Sequence, residues 1–301
     1  MSEAVVASGG KSGGSTLLTS VFGLTTSILT GLILWFVEQK FGFAFYSWTF
    51  WFVIPVGAGI AGFAAASGYY LGAWLFGHRP SRLLLVNILI ASVATFFFIH
   101  YLSYSTMQIE GKKVSDYISF WEYLNIAIRS ASMSLRFHAR DIGSTGELGA
   151  FGYAVAALQI LGFAAGGFCV YAYLTTKPFC DKCSRYLSAK GKQIRYSTDS
   201  EKLQQAIPHV LGLIAKEDLS TAIEHHRSSP DFGSSSSPKG CRLRTLIELR
   251  SCKECGLHWL KFTTEQLSDN EWKEISDLSV GGFTNQIVNV EPKANAGITV
   301  R

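Results

Sequence analysis

Apolar positions fall into four long unbroken stretches before residue 175 and into short periodic runs after it. A helix crossing about 30 Å of hydrocarbon needs roughly 20 apolar residues, because lipid offers its backbone no hydrogen-bond partners. Residues 17–37, 49–76, 83–102 and 148–174 meet that length without a single Asp, Glu, Lys or Arg, and each is predicted to span a membrane. The second and fourth exceed a perpendicular crossing, which predicts tilt or protrusion. The first follows a Gly/Ser-rich segment, residues 1–16, read as flexible. Its apolar run is too long for a cleaved signal, so it reads as a retained span.

Between the third and fourth spans lies a polar loop, residues 103–147. Within it Tyr117, Phe120, Trp121, Leu124, Ile128, Ala131 and Leu135 recur three and four apart, the stripe of an amphipathic helix. Ser119 and Glu122 have the spacing of a capping box, and Ser144 and Glu147 repeat it just before the fourth span. Such a helix, carrying Trp and Tyr, either lies in the headgroup plane or packs on its neighbours.

Composition separates the chain into two solvents. Residues 1–175 hold nine Lys and Arg with seven Asp and Glu; residues 176–301 hold eighteen and fifteen. Only 16% of the whole chain is charged, against about 25% in soluble domains. Cations flank the spans unevenly. Lys11, Arg79 and Arg82 stand on one side with Lys177, Lys182, Arg185, Lys190, Lys192 and Arg195. By the positive-inside rule both termini face the cytosol. The soluble part mixes both signs without a cationic stripe, which argues against nucleic acid as a partner.

The span interiors lack acidic and basic side chains, so an ion-coupled carrier is disfavoured. Asn87, Gln159, Thr25, Thr26, Thr30 and Thr95 read as interhelical hydrogen-bonding groups, and His100 as interfacial. Residues 57–62 match the letters G-x-G-x-x-G, but a nucleotide site needs a strand before them and a βαβ unit around them. In a span, Ala58, Gly62 and Ala66, with Gly68 and Gly72, and Gly162 with Gly166, are small faces for close helix packing. They pack within the chain or at an oligomer interface.

The chemistry of the soluble part lies in its cysteines. Cys180 and Cys183 form one C-x-x-C pair, and Cys252 and Cys255 a second, followed by Gly256. Two such turns supply the four thiolates of a tetrahedral zinc shell. The alternating residues 241–250 before the second pair and residues 256–263 after it predict a β-hairpin. Leu203, Ala206, Ile207, Val210, Leu211 and Ile214 predict a helix interrupted at Pro208, and Leu219, Ala222 and Ile223 a second, both inserted between the pairs. Ser268 and Glu271 read as the cap of a last helix carrying Trp272, Ile275 and Leu278, and residues 280–301 as a loose tail. Two other chemistries stay open: thiol–disulfide exchange, and ligation in which His209, His225, His226 or His258 replaces a cysteine. Cys169 and Cys241 read as buried small hydrophobes.

The combination resembles uncharacterised bacterial inner-membrane proteins with a few spans and a cytosolic zinc-ribbon-like domain. That resemblance implies an interaction or assembly module. The expected architecture is therefore a membrane α-helical domain over 17–175, with four spans and an amphipathic outer-loop helix, followed by a small α+β zinc-ribbon-like domain over 176–279. The expected function is a non-enzymatic scaffold, sensor or adaptor of the plasma membrane that binds structural Zn²⁺, a cytosolic protein and further copies of itself. The alternative is a homo-oligomeric pore or membrane-permeabilising effector, and last a membrane enzyme.

Overall fold

The computed structural model describes residues 12–50, 54–137, 140–236 and 240–284. The chain divides into two compact units, Met1–Thr176 and Lys177–Arg301.

The first unit is built on four long helices: α1 (Ser12–Phe41), α2 (Val56–Phe76), α3 (Arg82–Thr106) and, after a short α4 (Phe120–Ser130), α5 (Phe151–Thr175). Three of them contain segments long and apolar enough to cross a membrane: Thr16–Phe41, Arg82–Thr106 and Phe151–Thr175. The outward surfaces of these helices are apolar, with Leu17, Leu83 and Leu161 each more than 60% exposed.

Although α2 has the length, its five glycines and paired tyrosines lower its hydropathy. One face is buried, with Ala58, Ala65, Ala66 and Ala73 fully so, while Ile60, Phe63, Leu71 and Trp74 on the other stay about half exposed. It runs antiparallel to α1: Gly72 meets Thr19, Gly68 meets Phe22 and Thr26, and Ala65 accepts hydrogen bonds from Thr26 at 2.9 Å and Ser27 at 3.0 Å. It runs parallel to α5, where a Cβ on Gly62 would overlap the Phe163 carbonyl and one on Gly166 the Gly59 carbonyl. In turn α5 runs antiparallel to α3, placing Gly167 on Ser92 and Phe163 on Phe96. The small-residue faces therefore pack helices of the same chain. Of the hydroxyls read as interhelical, Thr26 is, whereas Thr25 and Thr95 bond back into their own helices.

Several boundaries differ from expectation. Five of the residues assigned to a flexible start, Ser12 to Thr16, are already helical. The second helix starts at Val56 rather than residue 49, because Pro55 has no N–H to extend it backwards. Before it come a 3₁₀ turn (Phe45–Ser47) and a Phe50–Ile54 bridge.

Between α3 and α5 a two-stranded hairpin, β1 (Gln108–Ile109) and β2 (Lys112–Lys113), precedes α4. Ser119 and Glu122 do form the capping box of α4. That helix ends at Ser130, and Ala131 and Leu135 lie beyond it. Residues 132–137 alternate polar and apolar in sequence and form β3 (Ser132–Phe137), paired with β4 (Arg140–Glu147). Ser144 and Glu147 are thus strand residues rather than a cap. The chain enters α5 through Gly146 and Gly149, both at positive φ, and Ala150 caps it without a side-chain bond. Helix α4 packs on its neighbours: Leu124 is buried, Trp121 stands edge-on to Phe97, and the Ile128 carbonyl lies against Gly152. Cys169 corrects another expectation, since it lies on the exposed side of α5.

In the second unit a short pair, β5 (Phe179–Cys180) and β6 (Arg185–Tyr186), leads into β7 (Ser188–Ser197). Helices α6 (Ser200–Ala215) and α7 (Leu219–Ser228) follow, then β8 (Leu243–Ser251), β9 (His258–Ser268), β10 (Glu271–Glu274) and β11 (Val280–Thr284). The sheet is antiparallel in the order β7-β8-β9, with β10 and β11 sharing the far edge of β9. The expected last helix is not formed. Asp269 and Asn270 both adopt positive φ and make the two-residue turn that joins β9 to β10, a conformation these residue types tolerate. The expected loose tail begins with β11, and residues 285–301 lie outside the described residues.

Asp199 caps α6 by accepting from the N–H groups of Glu201 and Lys202, and Asp218 caps α7 through Thr221. The predicted stripe of Leu203, Ile207 and Val210 packs with Leu219 and Phe232 on Ile247, Leu260 and Phe262 of the sheet. Pro208 falls on the exposed side, where its missing hydrogen bond faces water. Arg195 reaches from β7 to the carbonyls of Arg227, Ser229 and Gly233, pinning the C-terminal end of α7 where a cation is favoured.

His226 is fully buried between the Thr245 hydroxyl at 2.9 Å and the Gln193 amide oxygen at 3.3 Å. Burial first, then the nearby charges of Arg195 and His225, push its pKa from 6.5 down to about 3.

Two outcomes follow. Gly62→Leu drives a side chain into the α5 backbone and is expected to cost about 3 kcal/mol or more, read as a lowered unfolding temperature in detergent. For His226 the unfolded chain takes up a proton near pH 6.5 and the folded one only near 3, so stability falls as pH drops through that window. His226→Gln flattens that slope in denaturant titrations across the same range.

Candidate metal centre

Two backbone turns build the site. In the first, Cys180 ends β5, Cys183 follows three residues on, and Ser184 at φ 50° turns the chain back into β6. In the second, Cys252 follows directly on β8, and Gly256 at φ 72° closes the turn before β9. Only a residue tolerant of the left-handed region suits that position, and glycine does so without steric cost. The Gly256 N–H donates to the Cys252 carbonyl at 3.1 Å, and the Cys252 N–H to the Leu257 carbonyl at 2.8 Å.

The two turns converge. The Sγ atoms of Cys180, Cys183, Cys252 and Cys255 all lie within 4.8 Å of one another, and the Cys180–Cys255 pair is 3.5 Å apart. All four are free thiols. A tetrahedral ion with metal–sulfur bonds of about 2.3 Å requires sulfur–sulfur edges of about 3.8 Å. The cage therefore fits one ion with small side-chain adjustments. Cys180 and Cys252 are buried with Leu187, while Cys183, Cys255, Leu257 and Trp259 pack around them half-exposed.

Crowding sets the protonation of the sulfurs. The Leu257 N–H, and then the Cys183 thiol, lower the Cys255 pKa to about 7. Donating that bond to Cys255, and then burial, push Cys183 up to about 12. Burial raises Cys180 despite the N–H it receives from Cys183. Cys255 is thus favoured as a thiolate and Cys183 as a thiol. A divalent cation would displace the remaining protons.

The cluster is made of sulfur only. His226 is committed to Thr245 and Gln193, and the rings of His209 and His225 pack edge to face at 4.6 Å. His258 opens β9, but the ligand atoms brought together are the four thiols. Cys241 stays apart, buried, with its thiol near the Ser197 and Leu243 carbonyls. The four converging cysteines were legible from their spacing.

A second polar cluster, in the first unit, was not. Glu38 accepts a hydrogen bond from the buried Tyr46 at 3.3 Å, and the His100 ring stands 5.8 Å from that of Tyr46. In sequence Glu38 is only a flank of an apolar run; its burial depends on residues that arrive from the 3₁₀ turn and from α3.

Cys252→Ser removes one corner of the cage, and the second unit is expected to lose both its metal and its cooperative unfolding. Because ligation releases protons, metal affinity measured by chelator competition falls as pH is lowered from 8 to about 5. A pH-independent affinity would contradict thiolate ligation. No protein-family model, curated protein or solved structure matches the chain, and the four-sulfur cluster stands on its own geometry.

Proposed function

We propose that the chain is a four-span protein of the bacterial plasma membrane, with both termini cytosolic. Its zinc-stabilised second unit binds a cytosolic protein, and the whole acts as a non-enzymatic scaffold, sensor or adaptor. The observation that carries this reading is the closed set of four sulfurs. Catalytic zinc keeps a position open for water or substrate, whereas a shell filled by four thiolates is structural.

Three features support a fourth span through α2. It has 21 residues, roughly 31 Å of helix. It alternates in direction with α1 and α3. The connection to α3, residues 77–81, is too short to re-cross a bilayer. An even number of crossings returns both ends of the first unit to one side, and the excess of Lys and Arg on that side supports a cytosolic location for it.

Purified full-length chain in detergent is expected to carry about one zinc per chain, and none in the Cys252→Ser variant. Proteolysis of sealed vesicles should reach the second unit only from the cytosolic face. Under the adaptor reading a cytosolic protein remains bound stoichiometrically to the wild type and is released by chelation. Reproducible single-channel steps from homogeneous wild type in planar bilayers would overturn that reading in favour of a pore.

A further inference from the structure

The metal-centre end of the second unit carries exposed cations that the sulfur cluster does not use. Lys182 lies in the first turn and Lys253 in the second, both exposed, on loops clasped together through the cysteines. Lys190 stands exposed at the irregularity in β7, where the register slips between Ala189 and Gly191, within electrostatic reach of His258. Two acids, Asp181 and Glu254, share the turns with Lys182 and Lys253. At the same end of the sheet but on its opposite edge, Phe283 of β11 pairs with Trp259 of β9 and leaves 48% of its surface exposed.

Position along the chain says what such a surface meets. Helix α5 ends at Thr175, and Cys180 follows five residues later. At about 3.5 Å per extended residue, the first turn is tethered within roughly 18 Å of the helix end. Juxtamembrane clusters of Lys and Arg are attracted to anionic headgroups, each cation strengthening binding about fivefold. Aromatic rings settle at the same depth.

We infer that the metal-centre end of the second unit binds the anionic headgroups of the leaflet from which α5 emerges, through Lys182, Lys190 and Lys253, with Phe283 as the interfacial ring. This rests on the spanning role proposed for α5. Cations beside aromatic rings also suit single-stranded nucleic acid, but a surface held this close to a bilayer meets headgroups at far higher local concentration.

The test uses the full chain in nanodiscs of phosphatidylcholine, with and without phosphatidylglycerol. Acylation of individual lysines is followed by mass spectrometry, with exposed Lys216 beyond α6 as the reference. Phosphatidylglycerol is expected to slow labelling at Lys182, Lys190 and Lys253 roughly tenfold, to leave Lys216 unchanged, and to lose its effect at high salt, where charges are screened. It should also slow amide exchange across β11, and K190E, outside both cysteine turns, should weaken that slowing. Equal labelling in the two lipids overturns the inference. So does protection of the same lysines by an oligonucleotide in neutral nanodiscs when phosphatidylglycerol gives none. A chain that fails to enter nanodiscs at all overturns the spanning role first, and the inference with it.

Discussion

Four sulfurs within 4.8 Å of one another set the central constraint of the second unit. Thiolates crowded in this way repel one another unless a cation joins them. That repulsion sits at the root of the sheet. Cys183 and Cys252 bracket β7, both helices and β8, so fixing them together closes the loop that contains most of the hydrophobic core. Zinc binding in small domains is worth on the order of 10–16 kcal/mol, as much as the whole stability of an ordinary domain. A metal at this point would therefore decide whether the sheet and its helical cover exist together.

In the first unit the equivalent constraint is close approach without a hydrophobic drive. Lipid solvates a Leu side chain as well as another helix does, so helices associate through packing and polar contact. Here α2 supplies both. Its glycines let α1 and α5 come down to backbone contact on two sides, and Ala65 accepts from two hydroxyls of α1. The same glycines explain why α2 has a weak membrane signal of its own. Its large apolar side chains, among them Ile60, Phe63, Leu71 and Trp74, keep to its exposed face.

What could be read from sequence was whatever one segment determines alone. The long apolar runs, the stripe of α6, the hairpin around Cys252 and the capping box at Ser119 all belong to that class. The failures were letters whose meaning depends on a distant partner. Ser268 and Glu271 have the spacing of a helix cap, as do Ser119 and Glu122, yet Asp269 and Asn270 between them turn a strand back along β9. Ser144 and Glu147 mislead in the same way, because β3 recruits them as a strand. Strand β7 gives little alternating signal and is held by its register with β8. At Tyr46 and Glu38, burial comes from elements that no local pattern places next to α1.

A packed bundle also limits which membrane activities the chain can support by itself. At the end of the first unit near Glu38, Tyr46, Phe96 and Phe163 form a ring cluster with centroids 5.9–6.5 Å apart, and Ala58 and Ala61 fill the space beside it. A continuous water path through one copy would have to displace these side chains at the cost of opening a cavity in a close-packed core. Conduction, if it occurred, would run between copies. The helices would then have to meet through the large exposed Leu, Ile and Phe side chains of α1 and α3, since the small faces that favour tight association are already filled within the chain. Such surfaces are matched to acyl chains as well as to each other.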